Sequence, residues 1–408
     1  MTTSVTPFAH VLEQFIDESS FLWALYQSAQ TAPNYNPEKR GSLKERLEAQ
    51  LDGLRSCGED GWNAVMERIS EKPIPGELFS AAVLALDSSD DRRLDTVFDT
   101  IAKPDHAREL SSAFTWFSFE KTKSFYDKCF ESSLPLLRLA GLSACATFRH
   151  NPGIHLDNAL NDSDPFLRCR ALQMIGELNI KEKMPVAKEH FSDEDFACSF
   201  RAAWSAALSG EKTAIQLLLD HVTPGSIFAD EAVIIAVRKA AADRRPAIIR
   251  KLCESADLKR WAIIGAGAQG DISRVPELLD NMQETEFCRA AGEAFSMITG
   301  VDIMRSNLDE DEPEDFDETP NDDPEDERVD LDADHFLPWP DPQKVKAWWE
   351  ENAENFTSGI RYLCGKPITE EELRAVLING YQRQRYAASI EHMQFKPDEP
   401  LIDILVQV

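Results

Sequence analysis

Asp164-Pro165-Phe166-Leu167-Arg168-Cys169-Arg170-Ala171-Leu172 is followed 31 residues later by Asp195-Phe196-Ala197-Cys198-Ser199-Phe200-Arg201-Ala202-Ala203. Each stretch opens with an Asp able to cap a helix and runs on to a glycine, Gly176 or Gly210, suited to a left-handed C-terminal position. On a helix, Leu167, Ala171, Leu172, Ile175 and Leu178 fall on one face, as do Phe196, Phe200, Ala203, Trp204 and Ala207. The copying extends beyond this pair. Taking Ala82, Ala113, Ala140, Ala171, Ala202, Ala232, Ala262 and Ala290 as markers gives intervals of 31, 27, 31, 31, 30, 30 and 28 residues. That is the period of a repeating helical hairpin.

A lone hairpin of this size cannot hide its apolar face, so the copies must stack, and alanine at the contact lets neighbouring helices approach closely. No segment of alternating polarity interrupts the region. The expected fold class is all-α: an α-solenoid of HEAT-like helical hairpins, about eight over residues 62–305, right-handed or gently curved, with its concave side as the binding surface.

Residues 1–61 read as an N-terminal helical cap. Val11, Leu12, Phe15, Ile16, Phe21, Leu22 and Leu25 suit one helical stripe or a broken pair, and Pro33 and Pro37 end it. After Gly41, Ser42 is placed to cap a second helix carrying Leu43, Leu47, Leu51 and Leu54. At 306–334 the composition breaks. Positions 309 to 334 hold sixteen acids and one base, Arg328; such a run cannot bury a core and is expected to be a flexible segment. Residues 335–408 read as a small helical C-terminal subdomain, with one helix over Gln343 to Phe356 that carries Trp348 and Trp349. A last helix starts at Thr369, where Glu372 completes a capping box, and runs through Leu373, Val376, Leu377, Tyr381 and Ala388. Leu401 to Val408 is a strand or an extended tail.

Charge narrows the partners. The formal net charge is -29, which opposes binding to nucleic acid or anionic lipid, because clustered Lys and Arg hold those ligands. A basic protein suits this surface. Neither a signal peptide nor an apolar run long enough to span a membrane is readable, so the expected location is cytoplasmic. Eight cysteines occur singly, with no CxxC pair, and read as reduced core residues.

The apparent chemical motifs dissolve in context. Gly265-Ala266-Gly267-Ala268-Gln269-Gly270 matches GxGxxG, but the strand, the βαβ unit and the acidic ribose ligand that dinucleotide binding needs are missing. It reads as a helix end followed by a turn, with Ser273 capping the helix near Pro276, and no cofactor is assigned. The eight histidines show neither HExxH nor a Cys/His zinc spacing. Ser143 lacks the second glycine of a nucleophile elbow. The acidic run has no glycine for a calcium loop, so no metal is assigned. Two readings of that run remain open: a solvated spacer, or an electrostatic mimic of nucleic acid that fills a basic cleft. On the second reading the partner-binding residues are Asp309, Glu310, Asp311, Glu312, Glu314, Asp315, Phe316, Asp317 and Glu318. No catalytic constellation is found, and the expected activity is binding without catalysis.

Arg289-Ala290-Ala291-Gly292-Glu293-Ala294-Phe295-Ser296-Met297-Ile298-Thr299-Gly300, the acidic stretch, Leu337-Pro338-Trp339-Pro340-Asp341-Pro342 and Ala347-Trp348-Trp349 together resemble a family of bacterial HEAT-like proteins of uncharacterised type. Tyr362 to Thr369 and Gly380 to Ala388 also match its C-terminal pattern, whereas Phe395 to Val408 is poorer in basic and apolar residues than the family's ending. Members are often encoded beside spike and toxin genes of type VI secretion systems, and some look like immunity proteins for secreted nuclease toxins. The resemblance thus implies a cytoplasmic immunity protein that masks a cognate toxin. The alternative is an adaptor or chaperone that holds an effector for loading onto the secretion spike.

Overall fold

The computed structural model describes residues 9–88, 90–100, 106–314, 316, 319 and 332–405. It is mostly α-helical, with twenty-one α-helices and one two-stranded sheet among the described residues. The chain divides into two compact units: Met1–Thr31, Tyr35–Ser205 and Glu399–Asp403 form the first, and Ala32–Asn34, Ala206–Asp398 and Ile404–Val408 the second.

In the first unit α1 (Ala9–Ser28) and α2 (Pro37–Ser56) precede a series of helix pairs. These are α3 (Gly58–Glu71) with α4 (Pro75–Asp87), α5 (Asp91–Thr100) with α6 (Ala107–Trp116), α7 (Phe119–Glu131) with α8 (Pro135–Thr147), and α9 (Ile154–Leu160) with α10 (Pro165–Glu177). Then come α11 (Met184–Glu189) and α12 (Phe196–Leu208), within which the division of the chain falls. Helices α1, α4, α6, α8 and α10 each pack on the next, and α12 joins them through Ser205, whose Oγ donates to Leu172 O at 2.6 Å. Proline at the first position starts α4, α8 and α10, where its missing N–H would have had no partner in any case. Every residue of α4 from Gly76 to Leu86 is buried, as a helix packed against α1, α2, α3, α5 and α6 must be. Its one buried acid, Glu77, is neutralised by Arg68 at 2.8 Å. Phe79 of the same helix packs between Trp23 and Trp116, its ring centroid 5.8 and 5.3 Å from theirs.

The second unit repeats the scheme with α13 (Ala214–Asp220) and α14 (Ala229–Lys239), α15 (Arg245–Cys253) and α16 (Lys259–Gln269), and α17 (Val275–Asn281) and α18 (Cys288–Thr299). Here α14 packs on α16 and α16 on α18. The eight marker alanines fall one each on α4, α6, α8, α10, α12, α14, α16 and α18, and none is more than 4% exposed. This is a helical-repeat arrangement: short helices alternate with an alanine-lined layer whose consecutive members touch from α4 to α10 in the first unit and from α14 to α18 in the second.

The rest of the second unit packs on those repeats. It comprises α19 (Pro342–Asn352), the hairpin β1 (Tyr362–Leu363) and β2 (Lys366–Pro367), α20 (Glu370–Asn379) and α21 (Gln382–Phe395). The hairpin pairs Tyr362 with Pro367 and Leu363 with Lys366, turning on Cys364 and Gly365, both at positive φ. It covers two helix ends, whose last carbonyls have no partner within the helix. Tyr362 N donates to Gly270 O at 2.7 Å, Cys364 N to Met297 O at 2.8 Å and Gly365 N to Ile298 O at 3.0 Å.

Several local expectations are corrected. Asn36, not Ser42, caps α2, with Pro37 in its first turn. Gly176 lies inside α10, and the left-handed residue there is Asn179; the glycine serves close approach, since a Cβ would lie 2.6 Å from Ser205 Oγ and 2.8 Å from Ser205 Cα. Gly210 does adopt positive φ, and Asp164 and Asp195 do cap their helices. Phe196 is half exposed, because the first residue of α12 projects past the packed stripe. The GxGxxG glycines belong to α16 and its end, with Gly270 in the left-handed cap position against the backbone of Tyr362. Asp271, not Ser273, makes the next cap, accepting from Ser273 N at 2.9 Å. Gly380 and Tyr381 break the last expected helix into α20 and α21. Cys253 is exposed, while all eight cysteines are unbonded. Residues 401–403 run extended in the first unit, where Leu401 N donates to Glu177 O at 2.9 Å.

Candidate protein-binding surface

Leu308 is buried, and the acidic run leaves it along a short antiparallel bridge between Asp309 and Pro340. Asp341 N donates to Leu308 O at 2.8 Å and Glu310 N to Trp339 O at 2.9 Å, while Lys344 Nζ reaches Asp309 O at 2.7 Å. Beyond this bridge Glu310, Asp311, Glu312 and Glu314 are exposed in close succession. Asp315, Asp317 and Glu318, expected to act with them, lie outside the described residues.

Phe316, the one apolar member of the expected set, is partly buried. Its ring meets Trp339 edge-on at 4.8 Å, and the Arg289 guanidinium lies 4.8 Å from the Phe316 centroid and 4.3 Å from that of Trp339. Arg289 also pairs with Asp332 at 2.9 Å. A guanidinium is weakly hydrated and planar, so it can lie on aromatic faces while its edge binds a carboxylate. Two residues further, Asp334 is buried and takes both ends of the Arg260 guanidinium, at 2.5 and 2.8 Å. Burial alone would depress Arg260, but the bonds from Asp334 and the nearby Asp230 and Asp332 hold it above its ordinary value. Both ends of the acidic run are therefore mounted on α16, α18 and the start of α19.

A second charged cluster underlies that mount. Glu391 of α21 is fully buried and accepts from Arg238 of α14 at 2.9 Å, from Arg361 at 2.5 and 3.1 Å, and from Gln394 at 2.6 Å. Arg361 also donates to Gln269 O at 2.8 Å, at the end of α16. Burial would raise the Glu391 carboxyl, but Arg361 and Arg238 together bring it below the usual carboxylate range. These groups bond to one another, with Glu391 and Arg238 buried, so the cluster ties α21 and Arg361, which precedes the hairpin, to the repeats.

Among the described residues no group of three His, Cys, Asp or Glu side chains is placed to hold a metal ion, and no helix is long and apolar enough to cross a membrane. No family model matches the chain, and no curated protein matches it.

Proposed function

We propose that this chain is a HEAT-type repeat protein that acts in the cytoplasm as an immunity protein. It binds a basic protein partner, a secreted nuclease toxin of a type VI secretion system, and masks it stoichiometrically. The observation that carries the reading is the succession of exposed acids Glu310, Asp311, Glu312 and Glu314 on an ordered mount. Carboxylates held this way repeat the negative charge of a phosphate chain, and a nuclease cleft is built to receive such charge. The resemblance of the C-terminal motifs to proteins encoded beside secreted toxins supports the same reading.

Exposed charge governs the encounter more than the residence of a complex. Replacing Asp309, Glu310, Asp311, Glu312 and Glu314 by Ser or Asn is therefore expected to lower the on-rate for the co-purified partner about tenfold at low salt, and to flatten its salt dependence. Helical content should stay unchanged. Stopped-flow binding at two ionic strengths measures this, and an unchanged on-rate would reduce the run to a spacer. A requirement for the chain in toxin export without any protection of the cell would replace immunity by the adaptor role.

A further inference from the structure

Two cysteines meet where α10 lies against α12. The helices run side by side in the same direction. Near their starts, Cys198 Sγ of α12 lies 3.3 Å from Pro165 O of α10. Further on, Ser205 Oγ of α12 donates to Leu172 O at 2.6 Å and accepts from Gly176 N at 3.1 Å. Gly176 and Ser205 mark a close approach, for a Cβ on that glycine would lie 2.8 Å from Ser205 Cα. Seven residues earlier on each helix, about two turns, the corresponding positions are Cys169 and Cys198. Pro165 O is the carbonyl one turn before Cys169, so the Cys198 sulfur sits against the turn that carries Cys169, and the two thiols are within hydrogen-bonding reach of each other.

The two sulfurs are unequal. Cys198 is fully buried, whereas Cys169 is only partly so. The hydrogen bond from Cys198, with the Arg201 and Arg170 guanidinia, brings the Cys169 thiol below its usual range, although burial and Asp195 oppose it. Giving that bond drives Cys198 far above the usual thiol range, and burial, Asp193 and Asp195 add to the effect. Burial raises Cys129, Cys145, Cys288 and Cys364 as well, and Cys253 too, where Glu277 adds to it. An acidic, accessible thiol is the one that oxidises first, and a neighbouring thiol resolves the product. Here an attacking sulfur has a protonated partner directly behind it.

We propose that Cys169 and Cys198 are a peroxide-sensitive pair that closes a disulfide between α10 and α12. The Cys169 thiolate attacks the O–O bond of a hydroperoxide, forming the sulfenic acid Cys169–SOH and releasing an alkoxide or hydroxide that takes up a proton. The Cys198 sulfur then displaces the hydroxyl from Cys169, its own proton leaves with that hydroxyl as water, and the S–S bond forms. The two sulfurs together give up two electrons, and the peroxide accepts both. A disulfide needs Cα atoms about 4.4–6.8 Å apart, and the contact at Gly176 holds the two helices that near. The bond fastens neighbouring members of the alanine-lined layer, and a dithiol reverses it by exchange.

The full chain, reduced and freed of added thiol, is treated with a small excess of hydrogen peroxide, alkylated, cut after glutamate and mapped by mass spectrometry without reduction. The expected product is a single linkage from Cys169 to Cys198 within one chain, undone by dithiothreitol. In Cys198→Ser, whose hydroxyl can still donate to Cys169, the sulfenic acid should persist at Cys169 and be captured by dimedone. In Cys169→Ser, Cys198 should stay reduced. Circular dichroism checks that each variant is folded, and the map of the wild-type chain decides alone if one is not. The proposal is overturned if Cys169 and Cys198 both stay reduced, or if the exposed Cys253 or the buried Cys129 and Cys145 oxidise before them. It is also overturned if the linkage joins two chains, which non-reducing electrophoresis would show as a dimer.

Discussion

Glu391→Gln is the sharpest probe of how the second unit is held together. The substitution keeps the shape of the side chain but replaces one buried oxygen with an N–H₂ donor. Oε1 can still accept from Arg238 and Arg361, whereas the new amine faces donors, Arg361 Nη1 and Gln394 Nε2, that now lie 3.1 and 2.6 Å from Oε2. Two charge-assisted hydrogen bonds are lost, each contributing about 1.5–3 kcal/mol. Arg238, only 2% exposed, keeps its charge without a full counter-ion. The expected loss is about 3–5 kcal/mol, the range for breaking a buried ion pair from one side. Hydrogen exchange read by mass spectrometry locates it. Amides of α14 and α21 should exchange at least about a hundredfold faster, while those of α4 and α6, in the first unit, keep their rates. Acceleration of less than about threefold in α21 would show that the cluster contributes little and refute the reasoning. The pH dependence has a fixed sign. The folded state holds the Glu391 carboxyl below its unfolded value, so its stabilisation is complete above about pH 5 and fades as pH falls through the folded pKa. The gap between wild type and variant should narrow in acid, and a gap that widens there would contradict the assignment.

Two further outcomes follow from the packing. Gly176→Ala places a methyl 2.6 Å from Ser205 Oγ and is expected to destabilise by about 1–3 kcal/mol through overpacking; an unchanged melting temperature would show that α10 and α12 have slack. Arg289→Ala removes the guanidinium that joins Phe316, Trp339 and Asp332, so limited proteolysis between residues 310 and 332 should accelerate with helical content unaltered, and an equal cutting rate would dismiss the clamp.

The layered repeat was legible because its signal is local and periodic. An alanine every 30 residues or so, an Asp cap before Phe166 and another before Phe196 can all be read without knowing what lies elsewhere. Long-range pairing could not be read. Asp332 and Asp334 look like two more acids in a charged run until Arg289 and Arg260 are found beneath them, 43 and 74 residues away. Glu391 and Arg238 are separated by 153 residues and carry no mark of their burial. Gly176 resembled a helix stop because close approach and left-handed backbone select the same residue. Phe196 matched the apolar stripe in angle, yet as the first residue of α12 it is half exposed.

The central claim, that the chain protects by masking a basic toxin, is tested most directly by survival. The partner that co-purifies with the chain is identified, then expressed in cells from a controlled promoter, alone and together with the chain. The account predicts that the partner alone kills, that co-expression restores growth, and that purified chain abolishes the partner's activity at one equivalent. A partner that is harmless alone, or that kills equally well in the presence of the chain, would contradict it.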